Sequence, residues 1–515
     1  MRYLVTGQQM KEIDRYTIET VGIPSLVLME RAAMGVAREV RGLAKKTDRI
    51  WAVCGAGNNG ADGIAAARML ALEGYDVTLL LVGGGDRSTS EFRVQKAIAV
   101  NLGLSVAEWK DLIPGRCDVV IDGMFGVGLS REVEGEYLHV IEAINAMEGV
   151  RVAAVDLPSG IHSTTGEVMG AALRADVTIT FGWEKLGSVL YPGREYCGRV
   201  VVEDIGFPEV SLMRAEPFSR TYGMEDLSGL PARPAYSNKG TFGKVLLIAG
   251  SKGMSGAALL AALAAYRMGA GLVKVMTVEE NRAVLQQQLP EAIVTVYDPE
   301  ELTAAGQGED QGQGRTWGEM LERECAWADV IAMGPGLGGE PYVKVLVQAV
   351  LMSAYVPIVL DADGLNAIAR HPDLEQYYTE NIIVTPHLGE MARLTGKTVG
   401  QIQKDVLGTA REYAAACGVV CVLKDAATVA ATREGQCYVN KSGNSCMAKA
   451  GSGDVLTGII AALLAQGMEP FEGAALGVYV HGLAGDRYLE SHAPRSLLAR
   501  ELAEEAGKII GEKEY

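Results

Sequence analysis

The run Asn444-Ser445-Cys446-Met447-Ala448-Lys449-Ala450-Gly451-Ser452-Gly453-Asp454 leads straight into the helical stretch Val455–Gln466. Small residues opening a helix leave N–H groups unpaired at the positive end of its dipole. That is a site for a transferring phosphoryl group or its oxyanion. Asp454, in the first turn, stands where a carboxylate could take a proton from an attacking hydroxyl. As a plain dipole-favourable residue it would contribute only ~0.3–1 kcal/mol. Gly-Ser-Gly-Asp, however, holds more glycine than a plain cap requires. Four other strand ends carry unusual residues: Gly334-Pro335-Gly336-Leu337-Gly338, Asp361-Ala362-Asp363-Gly364-Leu365-Asn366, Thr385-Pro386-His387-Leu388-Gly389-Glu390-Met391 and Lys424-Asp425-Ala426-Ala427-Thr428. Lys424 suits a point charge near nucleotide phosphates. His387 reads equally as a hydrogen-bonded turn residue and as a binding one.

The first half of the chain has three such segments: Gly55–Gly63, Gly123–Ser130 and Leu157-Pro158-Ser159-Gly160. Ligands collect beyond the carboxyl ends of strands in open parallel sheets. Glycine lets the backbone approach them, and a helix starting near Asp62 would aim free N–H groups at an anion. Asn59, Asp122 and Ser159 supply oxygens on neighbouring strand ends, which suits a hard cation. Gly55, Gly57 and Gly60 fit the dinucleotide pattern G-x-G-x-x-G, yet Asn58-Asn59 changes its chemistry. Asp76 also lies short of the ~20 residues expected for a ribose-binding acid. The plain reading of Asp122 and Asp156 is a helix cap or a turn.

Those loops require strands to carry them. From residue 50 to about 206, Ile50–Cys54, Val77–Val82, Val119–Asp122, Val152–Asp156 and Val177–Phe181 read as buried strands. Helical periodicity fills the gaps, as in Asp62–Glu73, Glu91–Asn101 and Tyr137–Met147. Such alternation predicts a parallel sheet with helices on both faces. Residues 211–235, with Pro217, Pro231 and Pro234, read as a linker. A second alternating block, 236–515, has strands at Val245–Ala249, Leu272–Met276, Val330–Met333, Ile358–Asp361, Ile382–Thr385 and Val419–Leu423. Its Gly306–Gly318 run reads as a surface loop. The expected fold class is α/β, with two three-layer αβα domains, at 1–210 and 236–515.

Composition narrows the function. The chain has 515 residues and a formal net charge of -17, a poor surface for nucleic acid. Ser255–Val273 contains Arg267 and several glycines, so a buried helix is expected there and no membrane partner. The first residues carry charges where a signal peptide needs an apolar core. Eight cysteines and six histidines lack zinc-site spacing, which fits a reducing cytoplasm without a structural metal.

Four segments, Ser25–Glu30, Gly57–Gly63, Asp122–Leu129 and Val155–Gly160, together resemble the YjeF N-terminal family of NAD(P)H-hydrate epimerases, with a Rossmann-like sheet. The resemblance implies that Asn58-Asn59-Gly60-Ala61-Asp62 and Gly126-Val127-Gly128-Leu129-Ser130-Arg131-Glu132 touch the hydrated nucleotide. It also implies potassium bound by Asn59, Asp122 and Ser159, and substrate contact by Asp156. Epimerisation at C6 needs proton-assisted loss and return of a hydroxyl, which makes Asp156 the acid/base candidate. Ala61 replaces a glycine usual in that loop.

Lys239–Gly243, Gly269–Val273, Gly334–Gly338, Asp361–Asn366, Thr385–Glu390 and Met447–Asp454 resemble the ribokinase-like superfamily. Within it they are similar to the YjeF C-terminal family of ADP- or ATP-dependent NAD(P)H-hydrate dehydratases. The resemblance places Gly338, His387-Leu388-Gly389-Glu390-Met391-Ala392-Arg393 and Asp454 at the hydrate. Lys424–Thr428 and Asn444–Gly453 then hold the nucleotide with its Mg2+, and Asp454 is the base that activates the hydroxyl. Asp425 stands where a glycine commonly follows the lysine. Relatives imply a homo-oligomer, with NADHX, NADPHX and ADP or ATP as small-molecule partners. The alternative is a ribokinase-like small-molecule kinase carrying a non-catalytic N-terminal binding module.

Overall fold

Residues 1–83, 88–111, 117–306 and 317–511 are described by a computed structural model, and most of the run 306–318 lies outside them. The chain divides into two units, residues 3–219 and residues 1–2 with 220–515.

In the first unit, helices α1 (Gly7–Tyr16) and α2 (Ser25–Leu43) precede an alternating series. It comprises β1 (Arg49–Cys54), α3 (Asn58–Leu72), β2 (Asp76–Leu81), α4 (Ser90–Asn101), β3 (Ser105–Glu108) and β4 (Val119–Gly123). There follow α5 (Gly135–Asn145), β5 (Arg151–Val155), β6 (Val177–Phe181) and β7 (Arg199–Glu203). The sheet runs β3-β2-β1-β4-β5-β6-β7, every neighbouring pair parallel. Strand alternation splits the core into two layers. Ile50, Ala52 and Cys54 pack under α2 and α3, while Trp51 and Val53 pack with Val140, Ile141 and Ile144 of α5. The sequence sets the start of α3 near Asp62, yet the helix begins at Asn58 behind Gly57. The first helical turn has no internal partners for its N–H groups, so Asn58, Asn59 and Gly60 fit there as well as in a loop.

The second unit repeats the theme. Its elements begin with β8 (Lys244–Ile248), α6 (Ser255–Arg267), β9 (Leu272–Val278), α7 (Glu279–Gln288) and β10 (Ile293–Tyr297). Next come β11 (Val330–Met333), α8 (Pro341–Ser353), β12 (Ile358–Leu360), α9 (Ala362–Arg370), β13 (Ile382–Val384) and α10 (Leu388–Thr395). The remainder includes α11 (Val406–Cys417), β14 (Val420–Leu423), β15 (Val429–Ala431), β16 (Cys437–Val439), α12 (Ser452–Ala465), α13 (Pro470–Leu489) and α14 (Ala499–Gly511). Seven parallel strands, β10-β9-β8-β11-β12-β13-β14, continue into antiparallel β15 and β16. Val245 and Leu247 face α6, α12 and α13 in an alanine-rich core. Alanine at Ala261, Ala264, Ala461 and Ala462 lets those helices lie close to the sheet and to one another. Residues 211–235 include the strand Ser219–Thr221 and the turn Met224–Gly229. Among the described residues no helix is long and apolar enough to cross a membrane.

Candidate active sites

In the first unit a cavity of about 530 Å³ opens at the carboxyl end of the sheet. Asn58, Asn59 and Asp62 of α3 line it together with Gly126–Leu129 and Asp156. Three loops far apart in sequence thus meet there. A Cβ built on Gly126 would lie 2.8 Å from Asn59 Oδ1 and 3.4 Å from Asp156 Oδ2, so glycine permits that approach. Gly60 and Ala61 are buried beneath the loop, and Ser130, Arg131 and Glu132 are exposed and do not line the cavity.

Asp156 leaves β5 with φ 68°, a left-handed conformation that is strained for a residue with a side chain. The carboxylate is fixed in return. Its Oδ1 accepts from Lys185 Nζ at 2.6 Å and from Thr180 Oγ1 at 3.1 Å. Lys185 is nearly sealed from solvent and also donates to Thr180 Oγ1 at 3.0 Å and to the Phe181 carbonyl at 2.9 Å. Sequence reasoning missed Lys185. It lies in Trp183-Glu184-Lys185, without a glycine or a strand-end signature, and only the packing of the segment after β6 returns it to Asp156.

Asp122 and Ser159 form one unit. The Ser159 N–H and Oγ donate to Asp122 at 2.7 and 2.6 Å, and Ser159 Oγ accepts from the Phe125 N–H at 2.9 Å. Burial pushes the Asp122 carboxyl up to about 6, its Ser159 bonds opposing. Among the described residues no cationic side chain pairs with it. Asn59 Nδ2 is buried without a partner, and a Cβ on Gly123 would lie 3.1 Å from the Asn59 carbonyl. A fully buried carboxylate beside hydroxyl and amide oxygens fits a bound monovalent cation.

In the second unit the site grows from the N-terminus of α12. Gly451 caps the helix at φ 90°. Asp454 occupies the first turn, where burial and the Asp361 charge push its carboxyl up to about 6 against the pull of Lys424. A Cβ on Gly453 would lie 3.4 Å from Lys424 Nζ and 3.8 Å from Asp361 Oδ2. Lys424 therefore stands at the N-terminus of α12. Its ammonium bonds Asp361 Oδ1 at 2.6 Å, and Thr457 of α12 donates to Oδ2 at 2.7 Å. Asp361 precedes Ala362, which has φ 46°. Ser452 Oγ sits 3.2 Å from Nε2 of His481, whose burial pushes its ring down to about 4 and keeps it neutral.

The remaining predicted groups lie in the loops and first helical turns that follow the strands of this unit. The Gly338 N–H donates to Asp363 Oδ2 at 2.7 Å. His387 caps α10, its Nδ1 accepting from the N–H groups of Gly389 and Glu390 at 2.9 and 3.2 Å. Glu390 and Met391 are buried, and exposed Arg393 bonds Asn366 Oδ1 at 2.9 Å. Leu388 and Ala392 are half-buried on the same helix. Thr428 Oγ1 closes the lysine loop onto the Asp425 carbonyl at 3.0 Å, and burial pushes the Asp425 carboxyl up. Ala426 is exposed and Ala427 buried. Asn444 caps the turn Ser445–Met447 and donates to Asp486 Oδ1 at 2.9 Å, while Ala448, Lys449 and Ala450 are exposed. Asp361, His481 and Asp486 were not among the predicted site residues. Asp361 ends a strand in the quoted Asp361–Asn366 motif, whereas His481 and Asp486 sit inside a long helix that gives no local signal.

Comparison with known proteins follows the same division. The family model described as YjeF-related protein N-terminus matches residues 25–187, and that of NAD(P)H-hydrate dehydratase matches 245–508. The bifunctional NAD(P)H-hydrate repair enzyme of Thermofilum pendens is 40% identical over 93% of this chain and 90% of its own. The enzyme of the same name from Moorella thermoacetica is 40% identical over 97% and 95%. A ribokinase-like superfamily protein from Enterococcus faecalis, 28% identical, superimposes with a TM-score of 0.50 over 57% of this chain and 96% of its own.

Proposed function

The chain belongs to the family of bifunctional NAD(P)H-hydrate repair enzymes, and on that premise we propose how its two sites divide the work. Residues 1–210 interconvert the R and S hydrates of NADH and NADPH. Residues 236–515 dehydrate the S form while consuming ADP or ATP, and 211–235 connect them. The observation that carries this reading is the presence, in one chain, of two separate carboxylate centres, Asp156 with Lys185 behind β5 and Asp454 with Asp361 and Lys424 at the N-terminus of α12, each on a family match.

In the epimerase site the Asp156–Lys185 pair supplies a base and an acid at one point. The glycines of Gly126–Leu129 bring the hydrate against it. Asn59, Asp122 and Ser159 hold K+, whose charge would offset the buried Asp122 carboxylate and fix the loops around the cavity. In the dehydratase site Asp454 takes the proton of the C6 hydroxyl as its oxygen attacks the terminal phosphoryl group. The Gly451–Gly453 N–H groups and Lys424 face the developing charge. Phosphate then leaves C6 with the ring-nitrogen lone pair assisting, and loss of a proton from C5 restores the dihydropyridine. Among the described residues no three His, Cys, Asp or Glu side chains cluster as metal ligands. Mg2+ would arrive on the nucleotide, since Mg2+ is commonly held by substrate phosphates and one or two carboxylates. The eight cysteines are all free, in keeping with a reducing cytoplasm. A homo-oligomer completes the proposal.

The test is absorbance recovery at the reduced-nicotinamide band from mixed R/S NADH hydrate with ADP, with ATP and with neither. Full nucleotide-dependent recovery of both epimers supports the reading. A stable phosphorylated product in place of NADH would favour a small-molecule kinase.

A further inference from the structure

Inverting C6 demands more than one proton-handling point. The hydroxyl must leave from one face of the ring, and water must return to the other. The Asp156–Lys185 pair holds both a base and an acid, yet it sits at one place in the wall. Asp62 of α3, which the resemblance already implies at the substrate, lines the same cavity, and a further carboxyl enters it from a different element. Asp14, on α1, lines it together with Met10, Lys11 and Ile18. This helix precedes residue 25, where the match to the YjeF N-terminal family model begins, and Asp14 is not among the residues to which the resemblance gives a role.

The helix is anchored at both ends. Thr6 and Gln9 form a reciprocal cap at 2.9 and 3.0 Å, and the Gly7 N–H donates to Thr164 Oγ1 at 3.1 Å. At the other end buried Thr17 donates to Ser211 Oγ at 2.8 Å. Met10 and Ile13 pack with Val5 and Leu212 beneath. Asp14 is thus held in position without being used: among the described residues no donor bonds its carboxyl and no cation pairs with it. Burial pushes this carboxyl up, and the charges of Glu91 and Asp156 add to the effect against that of Lys185. Three carboxyls share the cavity: Asp156 is ion-paired, whereas burial pushes both Asp62 and Asp14 up, and an ion-paired carboxylate beside a carboxyl held towards its neutral form is the usual arrangement of a base and an acid.

We propose that Asp14 is a second catalytic residue of the epimerase, serving the face of the nicotinamide ring opposite the Asp156–Lys185 pair. The inference rests on the epimerase reading of this unit. In one direction the Asp14 carboxyl gives its proton to the C6 hydroxyl as the C6–O bond breaks. The ring-nitrogen lone pair forms the N1=C6 bond, and water departs. Water then attacks C6 from the other face, the π pair returns to N1, and the proton passes to Asp156. Asp14 is left ionised and Asp156 protonated, which is the state needed for the reverse reaction, and solvent exchange resets it.

The test uses the full chain without nucleotide, a single epimer of NADH hydrate and 18O-water. Inversion is followed by chromatography and oxygen uptake at C6 by mass spectrometry. In the wild type each inversion carries one solvent oxygen. In Asp14→Asn, inversion falls by about 100-fold or more. The epimer whose hydroxyl faces the Asp156–Lys185 pair still exchanges its oxygen, with retention, within about tenfold of the wild-type rate. Asp14→Glu keeps the carboxyl and recovers inversion, and thermal unfolding of both variants verifies the fold. Equal losses of inversion and exchange in both epimers, or unchanged inversion in Asp14→Asn, would overturn the proposal. A wild type that does not invert either epimer overturns the epimerase reading itself.

Discussion

Replacing Lys185 by methionine removes one partner of a buried ion pair while keeping an unbranched side chain in its place. The Lys185 side chain is 1% exposed and that of Asp156 9%, so water cannot take over the lost contact. Removing one member of such a pair destabilises a fold by about 3–5 kcal/mol. Asp156 keeps Thr180 Oγ1 at 3.1 Å and the Phe181 N–H at 3.4 Å as donors, which puts the expected loss near the lower end, about 3 kcal/mol. For a unit of this size that corresponds to a fall of about 6–12 °C in its melting temperature. Calorimetry of the full chain reads this shift. Epimerisation in the surviving folded protein falls by about 100-fold or more, while dehydration of purified S hydrate is unchanged. The double variant Asp156→Asn/Lys185→Met carries no buried charge there, so it regains at least half of the lost stability but none of the activity. A single variant within about 0.5 kcal/mol of wild type would refute the reasoning. So would a double variant less stable than the single one.

Four further outcomes follow from the cation site and the dehydratase carboxyl. Asp122→Asn removes the carboxylate of the K+ trio, so epimerisation loses its stimulation by KCl over choline chloride; stimulation equal to wild type would exclude Asp122 as a ligand. Asp454→Asn slows dehydration by about 100- to 10,000-fold and leaves inversion intact. In the wild type, dehydration falls below about pH 6, because a base whose carboxyl is raised to about 6 becomes protonated there. The stability effect has the opposite sign. The folded state binds this proton more tightly than the unfolded chain, so ionised Asp454 is a burden at pH 7. Asp454→Asn is therefore at least as stable as wild type at neutral pH, and the gain disappears below about pH 4, where both states are protonated. Denaturant midpoints at pH 4 and pH 7 test this.

Local pattern carried most of the strands and the two loop systems. β-branched runs such as Val119–Asp122 and Val330–Met333 identify buried parallel strands, and Gly451-Ser452-Gly453-Asp454 announces its helix N-terminus. The short strands Val429–Ala431 and Cys437–Val439 escaped because three residues give no measurable alternation. Ile293–Tyr297 has a strand composition but follows a helix closely and lies partly exposed at the sheet edge. The groups that complete each site were illegible for a different reason. Lys185 reaches Asp156 only after the chain has crossed β6, and His481 reaches Ser452 only through the packing of α13 on α12. Asp14 belongs to an amphipathic helix whose polar face reads as ordinary solvent exposure. Lys424 reads in the sequence as a point charge at a strand end, but its pairing with Asp361 depends on two strand ends becoming neighbours.

The most direct test of two independent activities in one chain is complementation in the absorbance assay. Asp156→Asn and Asp454→Asn chains are given mixed R/S NADH hydrate with ADP or ATP, first separately and then together. Asp156→Asn should stop when the S form is exhausted, Asp454→Asn should recover almost nothing, and the mixture should recover both epimers. Recovery of both epimers at the wild-type rate by Asp156→Asn alone, or failure of the mixture to exceed either variant, would contradict the account.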